Sequence, residues 1–553
     1  MTGQVASKVR TTSQRVQHRI VLVLLATACL GCGAVRRFLI PPAVTPVSKA
    51  VTGQRRQEFA DVMILGGHVH GHAGPRAVVI RDGVVTAVAL SSEVTQLRSG
   101  ATQLIKVAGG YVTPGLVDAH VHLEGAALLA DAADLRRVGT AQQLAKAMVM
   151  TSATGGEWLW GFGLSQAAFA ALQPSEVEQA CPDLPVYLSR DDGHAALVSA
   201  ALTKWLPPDL RDEVVAANYK LDGELARHVW RLLPAQRTER LGPLVRVVLD
   251  TLQHQGITEV HTMGESSALV TALVQLEREG RLPVRVKVYL DTARPEAGDL
   301  IDGRTKRLHT PLIDVAGIKL WLDGTLGAGT AALLQPYSDR QSAGQLRYSD
   351  GELGLRIADA DRRGLQVALH AIGDAAVAQV ARVLRKLVRP AQAQLVRIEH
   401  VQVVPPEVRE ALWGLPVECS VQPRHATEDA SFAKARLGAE RLTWAYPGLA
   451  LVAQCPVRSG SDMPVSPADP MGDWRVMAAT DPAQLGVDAT RGTVEELALA
   501  ALTARGTAGK DAAVRAGDTA DLVVWDHDPR IATPPAKPLW VIVGGSTQQV
   551  LAR

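Results

Sequence analysis

The sequence predicts an α/β fold: a (β/α)8 TIM barrel with an insertion after its first strand, plus a small β-sandwich domain assembled from both chain ends. Three observations predict it. Between residues 114 and 490, eight short apolar segments alternate with helical stretches, the pattern of a closed parallel barrel. Ionisable residues recur at the C-terminal ends of those segments, where such barrels carry their chemistry. Strand-and-turn patterns of one style occupy residues 58–113 and 491–553, on either side of the barrel.

Lys8, Arg10, Arg15 and Arg19 precede an apolar run from Ile20 to Leu30, which is short for a permanent membrane span. The run ends in small residues and cysteine, resembling a bacterial lipoprotein signal, with Cys32 or Cys29 to carry lipid. An exported protein, periplasmic or anchored through that lipid, is the expectation; a plain signal peptide or an uncleaved anchor is the alternative. Residues 38–57 read as a linker, so 1–57 form a leader segment. From Ala60 the pattern turns to strands, with a hairpin signal at Arg81-Asp82-Gly83. ADLVVWDHDP and PLWVIVGG near the C-terminus have the same character.

The barrel strands are placed at 115–122, 256–263, 284–290, 316–324, 365–370, 395–400, 417–423 and 456–462. The stretch from about 130 to 242 is too long for one connection and contains its own strand, PVYLS, so it reads as an insertion. A net charge of +2 and 4% aromatic residues leave no basis for nucleic-acid binding. Cys181, Cys419 and Cys455 show no CxxC pairing and read as buried apolar residues, not as a disulfide framework or zinc site.

His120 and His122 close the first strand as H-x-H, and alternate strand residues point to one side, so both imidazoles can approach one ion. Lys319 lies in the fourth strand; His370, His400 and Asp462 close the fifth, sixth and eighth. Chance would scatter such groups among strand starts, helices and loops. His194 in DDGH and His425 in QPRH are candidates to contact substrate, with ordinary loop histidines as the plainer alternative. Glu399 is expected to point away from its neighbour His400 and to serve packing or outer support. His68, His70 and His72 form an H-x-H-x-H far from any barrel strand end, for which a functional metal is not expected. His228, His254, His261 and His309 have no partner pattern, although His261 ends the second strand.

The passages TPGLVDAHVHLEG, DDGHAALVSAAL, GIKLWLDGTLGAGTAALLQPYSD, LHAIGDAAV, RIEHVQVV, SVQPRHATED, GSDMPVSPADP and ADLVVWDHDP together resemble the amidohydrolase superfamily, in its YtcJ-like, amidohydrolase 3 branch. The resemblance implies that His120, His122 and Asp462 ligate one metal and His370 and His400 a second. Lys319 would bridge them as a carbamate formed with CO2; a structural lysine paired with a carboxylate such as Asp323 is the alternative. One or two divalent ions, zinc favoured, would activate water against an amide-type small molecule, with Asp462 shuttling the proton. N-acyl or N-formyl amines come first, cyclic amides of heterocycles second, and an inactive binding lipoprotein last. Where relatives commonly carry an arginine, this chain has Gly329. Serine and P-loop chemistry are excluded, since GESSA is not G-x-S-x-G and GTLGAG lacks the P-loop lysine spacing.

Overall fold

The computed structural model describes residues 59–550 except 153–157, 191–194, 234–237, 294–306, 487–488, 505, 510 and 532. The leader segment and His194 lie outside the described residues.

The barrel strands are β1 (Leu116–Val121), β2 (Ile257–Glu265), β3 (Arg285–Asp291), β4 (Ile313–Trp321), β5 (Gln366–Ala371), β6 (Val396–His400), β7 (Val417–Val421) and β8 (Val457–Ser459). Each pairs in parallel with the next in this chain order, and β2 also pairs with β1. The segment just beyond β8 brings the ring round to β1. Asp462 N donates to His120 O and His122 N to Met463 O, each at 2.7 Å. Gly460 permits this approach, because a Cβ there would stand 2.3 Å from His120 N.

One face of every strand feeds the outer core. Val260, Val286, Ile318, Leu369, Ile398, Cys419 and Val457 pack under helices such as Ser267–Arg278, Asp350–Arg362 and Asp374–Lys386. Burial of each large aliphatic side chain contributes about 1.5–3 kcal/mol. Ser349 starts one of these helices by accepting from Glu352 N, while Glu352 returns the bond to Ser349 N. With the outer faces apolar, the alternate residues fill the lumen.

Strands from both chain ends form one continuous sheet of eight. Val62–Val69 lies beside Pro75–Arg81 and Tyr111–Pro114, and the latter pairs with Leu522–Trp525. The hairpin at Asp82-Gly83 is present, joining Pro75–Arg81 to Val84–Ala89. The C-terminal contribution begins at Leu522, later than the 491 boundary read from sequence. The intervening helix Arg491–Ala501 instead puts Val494, Leu497 and Ala498 into the barrel's outer core. Between β1 and β2 lies a separate five-stranded sheet running from Ala133–Asp134 to Lys220–Asp222, with its own apolar cores. Helix Thr238–Gln253 ends that stretch and belongs to the barrel core through Leu241, Val245 and Leu249.

One cysteine expectation is corrected. Cys419 and Cys455 are disulfide-bonded, because the segment entering β8 lies alongside β7. Their separation of 36 residues carries no motif, so only the strand pairing reveals it. Cys181 is free and buried, as expected.

Candidate metal centre

Six ionisable side chains, carried by five different barrel strands or the residues just beyond them, meet at the C-terminal mouth of the barrel. His120 Nε2 and His122 Nε2 lie 3.3 and 3.1 Å from Asp462 Oδ1. Two donors bound to a tetrahedral ion with bonds near 2.0–2.1 Å stand about 3.3 Å apart, so these three atoms have the spacing of a ligand set. Lys319 Nζ is 3.4 Å from His120 Nε2. The His400 ring centroid is 4.8 Å from that of His120 and 4.4 Å from that of His370. His425 also arrives here, its Nε2 4.0 Å from Asp462 Oδ2. Among the described residues, two groups have donor atoms close enough to share an ion: His120, His122 and Asp462, and His400, His425 and Asp462.

Backbone geometry aims two of these groups. His400 (φ 73°) and Asp462 (φ 63°) adopt left-handed conformations, unusual for residues with a Cβ and costing about 1–3 kcal/mol each. The turn at His400 breaks strand alternation, so the direction expected for Glu399 is corrected while its expected outer-support role holds. Both neighbours face the centre, and Glu399 Oε2 accepts from His120 Nδ1 at 2.7 Å. Behind it, Arg397 Nε donates to Glu399 at 2.9 Å and Arg397 Nη2 donates to Ala119 O at 2.8 Å. Arg397 Nη1 contacts His261 Nδ1 at 2.6 Å, so His261 belongs to this support and not to the ligand set.

The same pattern recurs at other rings. His122 Nδ1 faces Met263 O at 2.8 Å, and His370 Nε2 faces Gly324 O at 3.0 Å. Each ring proton is directed to an acceptor, leaving the other nitrogen's lone pair available, the arrangement of a metal ligand. Asp323 is held by Ala332 N, Ile372 N and Gly373 N and lies 3.5 Å from His370. It does not pair with Lys319, against the alternative raised from sequence.

Most charge states here suit cation binding; His122 is the exception, its burial outweighed by Asp462, which holds it above the ordinary imidazole value. Burial, then Lys319, pushes His120 down to about 4 and His370 down to about 3, so both are neutral at pH 7. Burial pushes Lys319 down to about 8. Burial alone would raise Asp462, but His120, His122 and His400 hold it well below the usual carboxylate range. Glu399 is likewise held well below its ordinary value, burial being outweighed by Arg397 and His120. Glu399→Gln removes the anionic partner of His120 while keeping its shape. It is expected to weaken metal affinity about 10–100-fold, read by equilibrium dialysis beside a thermal melt that checks folding; unchanged affinity would dismiss this support role.

The remaining histidines separate cleanly. His70 bonds Tyr111 and Glu496, His72 faces Val514 O and His68 is exposed, so the H-x-H-x-H does not converge. His254 faces Asp250 O, His309 is exposed beside Asp314, and His228 is exposed. Gly329 has φ 68°, so a side chain there would be strained and would also have to displace the flexible Arg340 guanidinium. Sequence reasoning named Asp323 only as a possible partner of Lys319, and missed Arg397 and Gln402, whose roles depend on partners distant in the chain and carry no motif.

Comparisons with known proteins agree with this geometry. A family model described as the amidohydrolase family matches residues 103–547. The protein YtcJ of Bacillus subtilis (strain 168) is 28% identical over 422 residues, covering 71% of this chain and 78% of that protein. Protein LONG AFTER FAR-RED 3 of Arabidopsis thaliana is 25% identical over 435 residues, covering 72% and 74%. An uncharacterized metal-dependent hydrolase from Pyrococcus horikoshii OT3 superposes with a TM-score of 0.72 at 25% identity, covering 86% of this chain and 98% of that one.

Proposed function

The chain belongs to the amidohydrolase family, and from that premise we propose that it is a metal-dependent hydrolase of a non-peptide C–N bond. The observation that carries the proposal is the approach of His120 Nε2 and His122 Nε2 to one oxygen of Asp462. These three residues would hold one divalent ion, and His370 and His400 would hold a second. Zinc suits so imidazole-rich a set. Lys319 would bridge as a carbamate; its depressed pKa supplies the neutral amine that reaction with CO2 requires. A bound divalent ion would supply Lewis acidity, bringing a water's pKa near 7 and polarising the substrate carbonyl.

The chain's own side chains do the rest. Asp462 accepts the water's proton on a carboxylate oxygen and delivers it to the leaving nitrogen, which makes an amine able to depart at neutral pH. Glu399 and the Met263 carbonyl fix the orientation of the His120 and His122 rings. The expected substrates are N-acyl or N-formyl amines, with cyclic amides as the second reading because the same centre serves both. A binding protein without catalysis is disfavoured by the retention of every candidate ligand. Export, with lipid on Cys32 or Cys29, is the proposed setting, and the β-sandwich built from both chain ends the proposed second domain.

Metal removal tests the proposal. Purified protein should contain at least one equivalent of divalent metal and hydrolyse members of an amide panel. Chelation should abolish both, and zinc, manganese or cobalt should restore them. Amide hydrolysis that survived complete metal removal would contradict it.

A further inference from the structure

Two rings at the centre are backed differently from the others: His400 Nδ1 is buried without a hydrogen-bond partner, and His425 faces a donor. His120, His122 and His370 each turn one nitrogen to an acceptor, whereas His425 Nδ1 meets the side-chain nitrogen of Gln402 at 3.1 Å. An amide NH2 can only donate. His425 Nδ1 therefore carries the lone pair, and the ring proton sits on Nε2. That Nε2 is buried with no hydrogen-bond partner, and Asp462 Oδ2, 4.0 Å away, is too far to accept from it. An N–H donor left unpaired in a buried site is destabilising until an acceptor reaches it. Both residues are well packed, Gln402 being 4% and His425 7% exposed, so neither rearranges freely to relieve that cost.

We propose that Gln402 holds His425 as the Nε2–H tautomer, and that this N–H donates to the substrate's carbonyl oxygen as negative charge builds on it. No proton leaves His425; the bond strengthens as the carbonyl becomes tetrahedral, which is when a fixed donor lowers the barrier. Gln402 is a positioning residue, and His425 is the group that touches substrate. The proposal rests on the hydrolase reading of the centre. A reversed Gln402 amide would present its oxygen to Nδ1–H instead, freeing the Nε2 lone pair to join His400 and Asp462 around an ion. Ligand and donor are thus alternatives set by one amide.

The test uses metal-loaded full-length protein with 15N-labelled histidine, the His425 signal being identified by its loss in His425→Gln. The expected state is Nε2–H in the native protein and Nδ1–H in Gln402→Glu, whose carboxylate accepts from Nδ1. With formanilide or acetanilide as substrate, His425→Ala and Gln402→Glu should lower kcat about 10²–10³-fold with little change in KM, the size of a lost oxyanion donor. His425→Gln, which restores a side-chain N–H, should recover part of the loss. Metal content should be the same in all. An Nδ1–H tautomer in the native protein, loss of one metal equivalent in His425→Ala, or native turnover in Gln402→Glu would each overturn the proposal. An active native protein with indifferent variants would sink this proposal alone. A metal-loaded native protein that hydrolysed no amide would sink the hydrolase reading with it.

Discussion

Asp462→Asn should fold, retain metal and lose turnover by about 10²–10⁴-fold, the range for removing a general acid–base group. The substitution keeps the side chain's shape and leaves one oxygen to face His120 and His122, so an ion can still be held. An amide cannot take a proton from water or return one to a leaving nitrogen. The loss should appear in kcat more than in KM, because proton transfer belongs to the transition state. Asp462 occupies a left-handed backbone position whose N–H bonds His120 O, so the variant's main chain has reason to stay in place. Native turnover in a metal-replete Asp462→Asn protein would remove Asp462 from the proton path.

Replacing both His120 and His122 by Asn should act one step earlier, on metal retention itself. The two Nε2 atoms are the imidazole donors nearest Asp462 Oδ1. Their loss should weaken binding by more than the roughly 10–100-fold expected for an outer partner such as Glu399. Hydrolysis should fall to background. The double variant also removes the His120 N–H from Glu399, which keeps its ion pair with Arg397. Losing a hydrogen bond to a buried charged group costs about 1.5–3 kcal/mol, so the melting temperature should drop as metal is lost. Glu399→Gln, with metal loading measured at several ion concentrations, separates the two effects. A double variant that still bound stoichiometric metal at native affinity would place the ion elsewhere.

Much of the centre was legible because barrel chemistry collects at strand ends. His120, His122, His370, His400 and Asp462 stand where apolar segments stop, and the strand placements follow from hydrophobic runs alone. The outer-support role of Glu399 was legible, but its direction was misread because strand alternation was assumed to continue through His400. A left-handed φ at a histidine has no sequence signal, whereas a glycine there would have given one. The Cys419–Cys455 bridge was missed for a related reason: it depends on β7 lying beside the segment that enters β8, which spacing does not encode. Likewise, helix Arg491–Ala501 was assigned to the terminal β-domain by its place in the chain, but its apolar stripe packs on the barrel. Gln402 passed unnoticed among the short residues after His400, since its meaning lies in the ring of His425.

The most direct test of the account is anomalous diffraction from crystals of the metal-loaded protein, recorded at the edge of the ion that supports activity. The account predicts a peak about 2.0–2.2 Å from His120 Nε2, His122 Nε2 and an Asp462 oxygen, with extra density on Lys319 Nζ if the carbamate forms. An active, metal-loaded crystal in which those three side chains are free of metal would contradict it.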